Sequence, residues 1–449
     1  MMRARMQSMK RRGLRISLIL CGSAWMMAMA TPVRPASQVS TRQLSNGLRL
    51  VVESASNNAI VAVVCVFEAA AGDETDAECG LTNLTLRMLT RGTRSKTASQ
   101  LAERIESRGA SLSAGATEDH SYVSLVCLRE DLSAMLSLLR EVVFEPRFDP
   151  AEIDKERETI LAALKRREDN PLAFVSREFL ADLYKGHPYE RDPQGTSQTL
   201  PAFVPPHLEA RHAEVCRADQ ALVSVVGDVD PESMARSFGR WPKPPAPAAG
   251  RFRVNKSFSG AAMTSRVIHR DVTQAVLATG FVTASLSDKD YPAVRVASAI
   301  LGEGMSSRLF LTLRERGGLA YSVGSASVPR FDKSYLLCHI GCAPQNTDAA
   351  LTGIHRQVQR LREEMVDEEE LERARNYVVG KWRLSMQTNE ARARFRALCV
   401  LAGLGSDYED RYPDIVQAVT ANDVRYVALK YFSRPVTVVI EPHSPKAQP

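Results

Sequence analysis

Gly80-Leu-Thr-Asn-Leu-Thr-Leu-Arg-Met-Leu-Thr-Arg-Gly-Thr93 is the stretch on which the reading of this chain turns. Its apolar Leu81, Leu84, Met88 and Leu89 recur at helical spacing, so a helix packed by one side is expected from Gly80 to Thr90. Strand-like runs precede it, Leu48 to Glu53 and Ile60 to Ala69. The same succession returns later, with a strand from Ala275 to Val282 and a helix from Tyr291 to Leu301. Phe148 to Asp154 leads a long charged helix that runs to about Arg167 and is stopped by Asp169-Asn-Pro171, and Val366 to Leu371 leads another of similar length. Further strand runs are Ser121 to Leu128 and Leu222 to Val226 in one half, Ala320 to Val328 and Val436 to Ile440 in the other. Between the halves lies Trp241-Pro-Lys-Pro-Pro-Ala-Pro-Ala-Ala-Gly250, the clearest break in the chain. Strands interleaved with helices without strict βαβ alternation predict an α+β class: two similar domains, 38–240 and 256–445, each a largely antiparallel sheet covered by helices, joined by a linker at 241–255.

Composition sets wider bounds. A chain of 449 residues with 44% hydrophobic and 24% charged content excludes disordered and fibrous classes. The formal net charge of +6 is partly gathered at Arg3, Arg5, Lys10, Arg11, Arg12 and Arg15, and the remainder shows no basic stripe interleaved with aromatics, so no nucleic-acid partner is expected. From Ile16 to Ala30 there is no charge, and Ala28-Met29-Ala30 offers the small residues of a cleavage site. Residues 1–30 therefore read as a secretory signal, with the mature chain starting near Thr31 in the periplasm or otherwise exported and without a stable membrane span. Fifteen apolar residues fall short of the roughly 20 that a spanning helix needs, which leaves anchoring by an uncleaved signal as the alternative. A transit peptide would spread its arginines along an amphipathic helix, and lipidation at Cys21 would require a small residue where Leu20 stands. Removing the signal leaves Cys65, Cys79, Cys127, Cys216, Cys338, Cys342 and Cys399, an odd number, read mostly as buried free thiols.

Thr41-Arg-Gln-Leu-Ser-Asn-Gly-Leu48, the Gly80 to Thr93 stretch, His187-Pro-Tyr189 and Gly195-Thr196 resemble the insulinase (pitrilysin) metallopeptidase family, which includes the mitochondrial processing peptidase. The resemblance runs over nearly the whole mature chain and implies two homologous domains of the LuxS/processing-peptidase-like type. It also implies a zinc site, built from His-x-x-Glu-His on one helix and a glutamate on a later one. Positions i, i+3 and i+4 share a helix face, so two imidazoles and a carboxylate can converge on one ion and its water. Here that face carries Asn83, Leu86 and Arg87, and Ala163 stands at the later ligand position, seven residues after Glu156. An amide is a poor zinc ligand, leucine is none, and arginine repels the cation. No two of the eight histidines lie three or four residues apart, and there is no Gly-x-Ser-x-Gly, so neither a second zinc site nor a serine hydrolase is expected.

Leu301-Gly-Glu-Gly-Met-Ser-Ser-Arg-Leu-Phe-Leu-Thr-Leu-Arg-Glu-Arg-Gly-Gly-Leu-Ala-Tyr-Ser-Val323 resembles the signature of the family's C-terminal domain. Arg314 and Tyr321 match its Arg and Tyr seven residues apart, the pair that in the family holds the substrate carbonyl from a second domain or a second subunit. A guanidinium and a phenol both donate, as an oxyanion requires. Taken singly, Arg314 would be a cation at a helix end and Tyr321 a packing residue at a strand start. Arg308 and Glu315 read as solvated or ion-paired. The resemblance thus implies a subunit with no cofactor of its own, acting on peptides beside a homologous zinc-bearing partner. The other reading is a catalytically inert structural or peptide-binding homologue, and an independent enzyme of altered chemistry has no convergent residue set to support it.

Overall fold

The computed structural model describes residues 38–244, 258 and 262–443. The expected signal and most of the expected linker lie outside them. The first half contributes β1 (Gln38–Gln43), β2 (Arg49–Ser54), β3 (Ile60–Phe67), β4 (Ser111–Ala116), β5 (Ser121–Leu128) and β6 (Ala221–Gly227). Its helices are α1 (Leu81–Met88), α2 (Ala98–Glu106), α3 (Leu132–Phe144), α4 (Pro150–Asp169), α5 (Pro171–Leu183), α6 (Pro205–Val215) and α7 (Pro231–Gly239). The second half contributes β7 (Thr264–Arg270), β8 (Ala275–Thr283), β9 (Ala320–Val328), β10 (Ser334–Cys342) and β11 (Val436–Pro442). Its helices are α8 (Tyr291–Gly302), α9 (Thr347–Glu363), α10 (Glu368–Ser385), α11 (Asn389–Leu401), α12 (Tyr408–Gln417) and α13 (Ala421–Tyr431).

The sheets have the orders β1-β2-β6-β3-β5-β4 and β7-β11-β8-β10-β9. Each contains a single parallel pair, β2 with β6 and β7 with β11, and every other pairing is antiparallel. Set one above the other, the second sheet repeats the first without its edge strand β1, and the α+β expectation holds. Cys338 and Cys342 share one face of β10, as a period of two requires, and both join the core of the second half.

The two halves exchange helices. Val175, Phe179 and Leu183 of α5, a first-half helix, pack on Val276, Ala278 and Val438 of the second sheet. In return, Ala393 and Ala397 of α11 pack on Val64, Val66, Leu222 and Val226 of the first. Each sheet is thereby covered on one face by its own helices and on the other by a helix of its twin. Glu53, fully buried on β2, is held by Arg392 and by Arg396, which is also fully buried, and both arginines bond Glu409 as well, at 3.1 and 2.9 Å. A buried carboxylate is tolerable only with partners of this kind. Trp241, the first residue of the expected linker, is itself buried against Phe144 and Phe238, and its carbonyl accepts from Asn46 Nδ2 at 3.2 Å.

Candidate functional site

Helix α1 starts at a fixed point because its first amides are taken by a carboxylate. Glu74, buried and with its pKa raised chiefly by that burial, accepts from the Gly80 and Thr82 amides. A negative charge at a helix N-terminus also suits the helix dipole. Gly80 has φ +93°, and a Cβ on it would meet the Gly195 Cα at 2.5 Å, so two glycines far apart in the sequence are required for one close approach. Thr199 Oγ1 donates to the Cys79 carbonyl at 2.7 Å and closes the same junction.

Beyond that start, the residues expected on one helix face separate. Asn83, Arg87 and Ala163 line a cavity of about 610 Å³ between α1, α4 and α5. Leu86 instead turns fully inward and joins the core around Phe67, Leu89 and Val143. Glu156 on α4 is 1% exposed, and its carboxylate is divided between two guanidiniums: Arg87 bonds Oε1, and Arg91 Nε donates to Oε2 at 2.7 Å. Asn83 Oδ1 accepts from the Ala116 amide at 3.4 Å, a long bond to the last residue of edge strand β4. Asn83, Leu86, Arg87 and Ala163 do not fit a zinc ion: none supplies a donor that zinc favours, and the Glu156 carboxylate beside them is consumed by two fixed cations, which would also repel the metal. Among the described residues, no group of three or more His, Cys, Asp or Glu side chains is placed to hold a metal ion.

His187 and His212 are held in structural contacts, and the cysteines among the described residues are buried. His187 Nε2 lies 3.0 Å from Asp332 Oδ2, with both side chains buried, and His212 bonds the Val143 carbonyl. Burial pushes the thiols of Cys79 and Cys127 up to about 11 and that of Cys338 up to about 12, away from nucleophilic thiolates.

Arg314 and Tyr321 sit elsewhere. Phe310–Glu315 forms a π-helical turn, with the Arg316 amide donating to the Leu311 carbonyl at 3.1 Å, and such turns recur at functional sites. Leu313 anchors the turn against Gly353 of α9, where a Cβ would stand 2.3 Å from its Cδ2. Arg314 is exposed; its guanidinium lies over the Phe310 ring, 5.1 Å from the centroid, and makes no hydrogen bond or ion pair among the described residues. Tyr321, second residue of β9, is 63% exposed, which sets aside a packing role at the strand start. Neither residue lines the cavity that receives Asn83 and Arg87. Arg308, by contrast, is buried in a two-bond pair with Glu370, at 2.8 and 2.6 Å.

A polar bridge between the halves escaped the sequence. Tyr189 of the His-Pro-Tyr run donates to Asp119 and accepts from the Asp332 amide at 3.1 Å, while Arg330 bonds Glu118 at 2.7 Å. Burial raises the Asp119 carboxyl to about 6, and burial, reinforced by Arg394 and Arg330, lowers the neighbouring His120 to about 3. Only the His-Pro-Tyr spacing pointed here, and it named one side of the bridge.

Comparison with known proteins bears on all of these features. Residues 49–197 match the insulinase (peptidase family M16) model, and residues 203–378 match the model described as peptidase M16 inactive domain. An uncharacterized zinc protease of Rickettsia bellii is 26% identical over 413 residues, covering 90% of this chain and 97% of that protein. One from Mycobacterium bovis is 26% identical over 432 residues, covering 94% and 97%. In structure, a peptidase M16 inactive domain from Pseudomonas fluorescens superposes with a TM-score of 0.82 at 23% identity, covering 91% of this chain and 98% of that one. Two family models placed end to end, on two sheets of one topology, establish that the chain belongs to the insulinase family, peptidase family M16.

Proposed function

We propose that this chain is the non-metal subunit of a heteromeric zinc peptidase, pairing with a homologous chain that carries His-x-x-Glu-His and contributing Arg314 and Tyr321 to hold the substrate peptide's carbonyl. The observation that carries this reading is the contrast in engagement: Arg87, at the vacated metal position, is committed to Glu156, whereas Arg314 and Tyr321 face solvent with no side-chain hydrogen bond among the described residues. Donors held in place before the reaction are what a developing oxyanion needs, and two such donors lacking a metal of their own call for a second chain. We place the pair outside the cytoplasm, in the periplasm, on the strength of the uncharged run from Ile16 to Ala30. Among the described residues no helix is long and apolar enough to cross a membrane.

A second reading, a catalytically inert structural or peptide-binding homologue, has in its favour that neither Arg314 nor Tyr321 lines the cavity beside Asn83 and Arg87. Purification of the native protein separates the two. The heteromer reading expects a homologue with an intact His-x-x-Glu-His motif to co-purify, and peptide hydrolysis to appear only when both chains are mixed. Isolation of this chain alone, with no gain in hydrolysis by any homologue on mixing, would overturn it.

A further inference from the structure

The cavity beside the vacated metal position carries more positive charge than its own acids neutralise. Five arginines line it, Arg87, Arg166, Arg167, Arg177 and Arg191, against Glu118 and Asp192. Those two acids are already engaged: Asp192 takes Arg167 and Arg177 together, and Glu118 holds Arg330. Arg87 shares Glu156 with Arg91, so two cations stand over one carboxylate. The acid paired with Arg191 is Asp76, whose side chain is 95% exposed, and the Arg191 Nε is buried with no hydrogen-bond acceptor. Arg166, on the turn of α4 that follows Ala163, is exposed at the cavity's edge, and its side chain makes no hydrogen bond or ion pair among the described residues.

We propose that this cavity, beside Asn83, Arg87 and Ala163, is a binding site for the carboxylate of an acidic peptide. A guanidinium fork matches the two oxygens of a carboxylate, and Arg87, Arg167, Arg177 and Arg191 are partly buried, which strengthens the attraction over what the same charges give in open water. At about 610 Å³ the cavity has room for one or two peptide residues around the charged group. The assignment does not depend on Arg314, Tyr321 or a partner chain, so it is testable on the mature single chain.

The measurement is fluorescence anisotropy with coumarin-labelled heptapeptides of otherwise neutral sequence. One carries a central Asp with an amidated C-terminus, one carries Asn at that place, and one is the Asn peptide with a free C-terminal carboxylate. At least one carboxylate-bearing peptide should bind ten-fold or more tightly than the amidated Asn peptide; comparing the Asp arm with the free-end arm tells a side chain from a chain end. Arg166→Glu should abolish that preference, and Arg177→Gln should reduce it several-fold. Arg104→Glu, on exposed α2 away from the cavity, should leave it intact. Because Arg166 has no partner to lose, its replacement should preserve the circular dichroism spectrum and the melting temperature. Equal binding of all three peptides, or a preference that survives Arg166→Glu, would overturn the proposal.

Discussion

Arginine serves opposite ends in the two halves. On α1 of the first half, Arg87 is locked with Arg91 onto Glu156, a carboxylate that would otherwise be buried without a counter-charge. In the π-helical turn of the second half, Arg314 is held in position by the turn, yet among the described residues its guanidinium contacts only the face of Phe310. An arginine that completes a buried charge balance is structural, whereas one displayed without a partner is available to a ligand or another chain. The comparison therefore gives the Arg87 and Arg91 cluster a part in stability, and leaves the exposed pair for the proposed function.

The strongest way to break it is to remove both Arg87 and Arg91. Arg87→Ala with Arg91→Ala leaves Glu156 buried and uncompensated, and should cost toward the lower end of the roughly 3–5 kcal/mol expected for a broken buried pair, since both guanidiniums are about two-fifths exposed and solvent screens part of the loss. Urea denaturation reads this directly, and Glu156→Gln added to the double variant should restore much of it. A double variant as stable as the parent would contradict the structural assignment.

Next in size, Arg314→Ala or Tyr321→Phe should lower turnover of the reconstituted pair by roughly 100- to 1,000-fold, about 3–4 kcal/mol in the transition state. The stability of the chain itself should move by less than about 0.5 kcal/mol, because both side chains are exposed. Full activity of these variants against several peptides would shift the balance to the scaffold reading.

The bridge between the halves gives a pH test. Asp119 binds its proton more tightly in the fold, at about 6 against an ordinary 3.8, so its stabilising contribution is present at low pH and is lost as the pH rises from 4 to 6. His120 is lowered to about 3 from 6.5, so its contribution is lost as the pH falls through that window. The two slopes oppose each other. Asp119→Asn should steepen acid destabilisation between pH 7 and 5 by about 1–2 kcal/mol, and His120→Gln should flatten it or reverse its sign. Parallel pH profiles for parent and variants would show that neither group titrates as its burial dictates.

Smallest of all, Asn83→Ala removes one long bond to Ala116 and should change stability by no more than about 1 kcal/mol, with the reconstituted activity unaltered. A large loss of activity there would return a catalytic role to the vacated centre.

Much of this molecule was legible in the linear sequence. Ser121–Leu128 and Ala320–Val328 are strands with the bounds their strand-like runs gave, because short apolar runs of this length suit a strand within a covered sheet. The donor chemistry of Asn83, Leu86, Arg87 and Ala163 is a property of the residues themselves and is read from the sequence alone. So is the exposed pair, through its spacing within a long matching segment. What tertiary structure alone decided is where each surface goes. The apolar faces of α5 and α11 announce that they will be buried but not on which sheet, and each crosses to the other half. Leu86 leaves the shared face for the core because a leucine there gains more from apolar burial than from lining a polar cavity. Glu156 meets Arg87 and Arg91, and Glu53 meets Arg392 and Arg396, across 65 or more residues of chain. Sequence periodicity encodes short-range geometry, but a buried charge chooses its partners only once distant segments have been packed together.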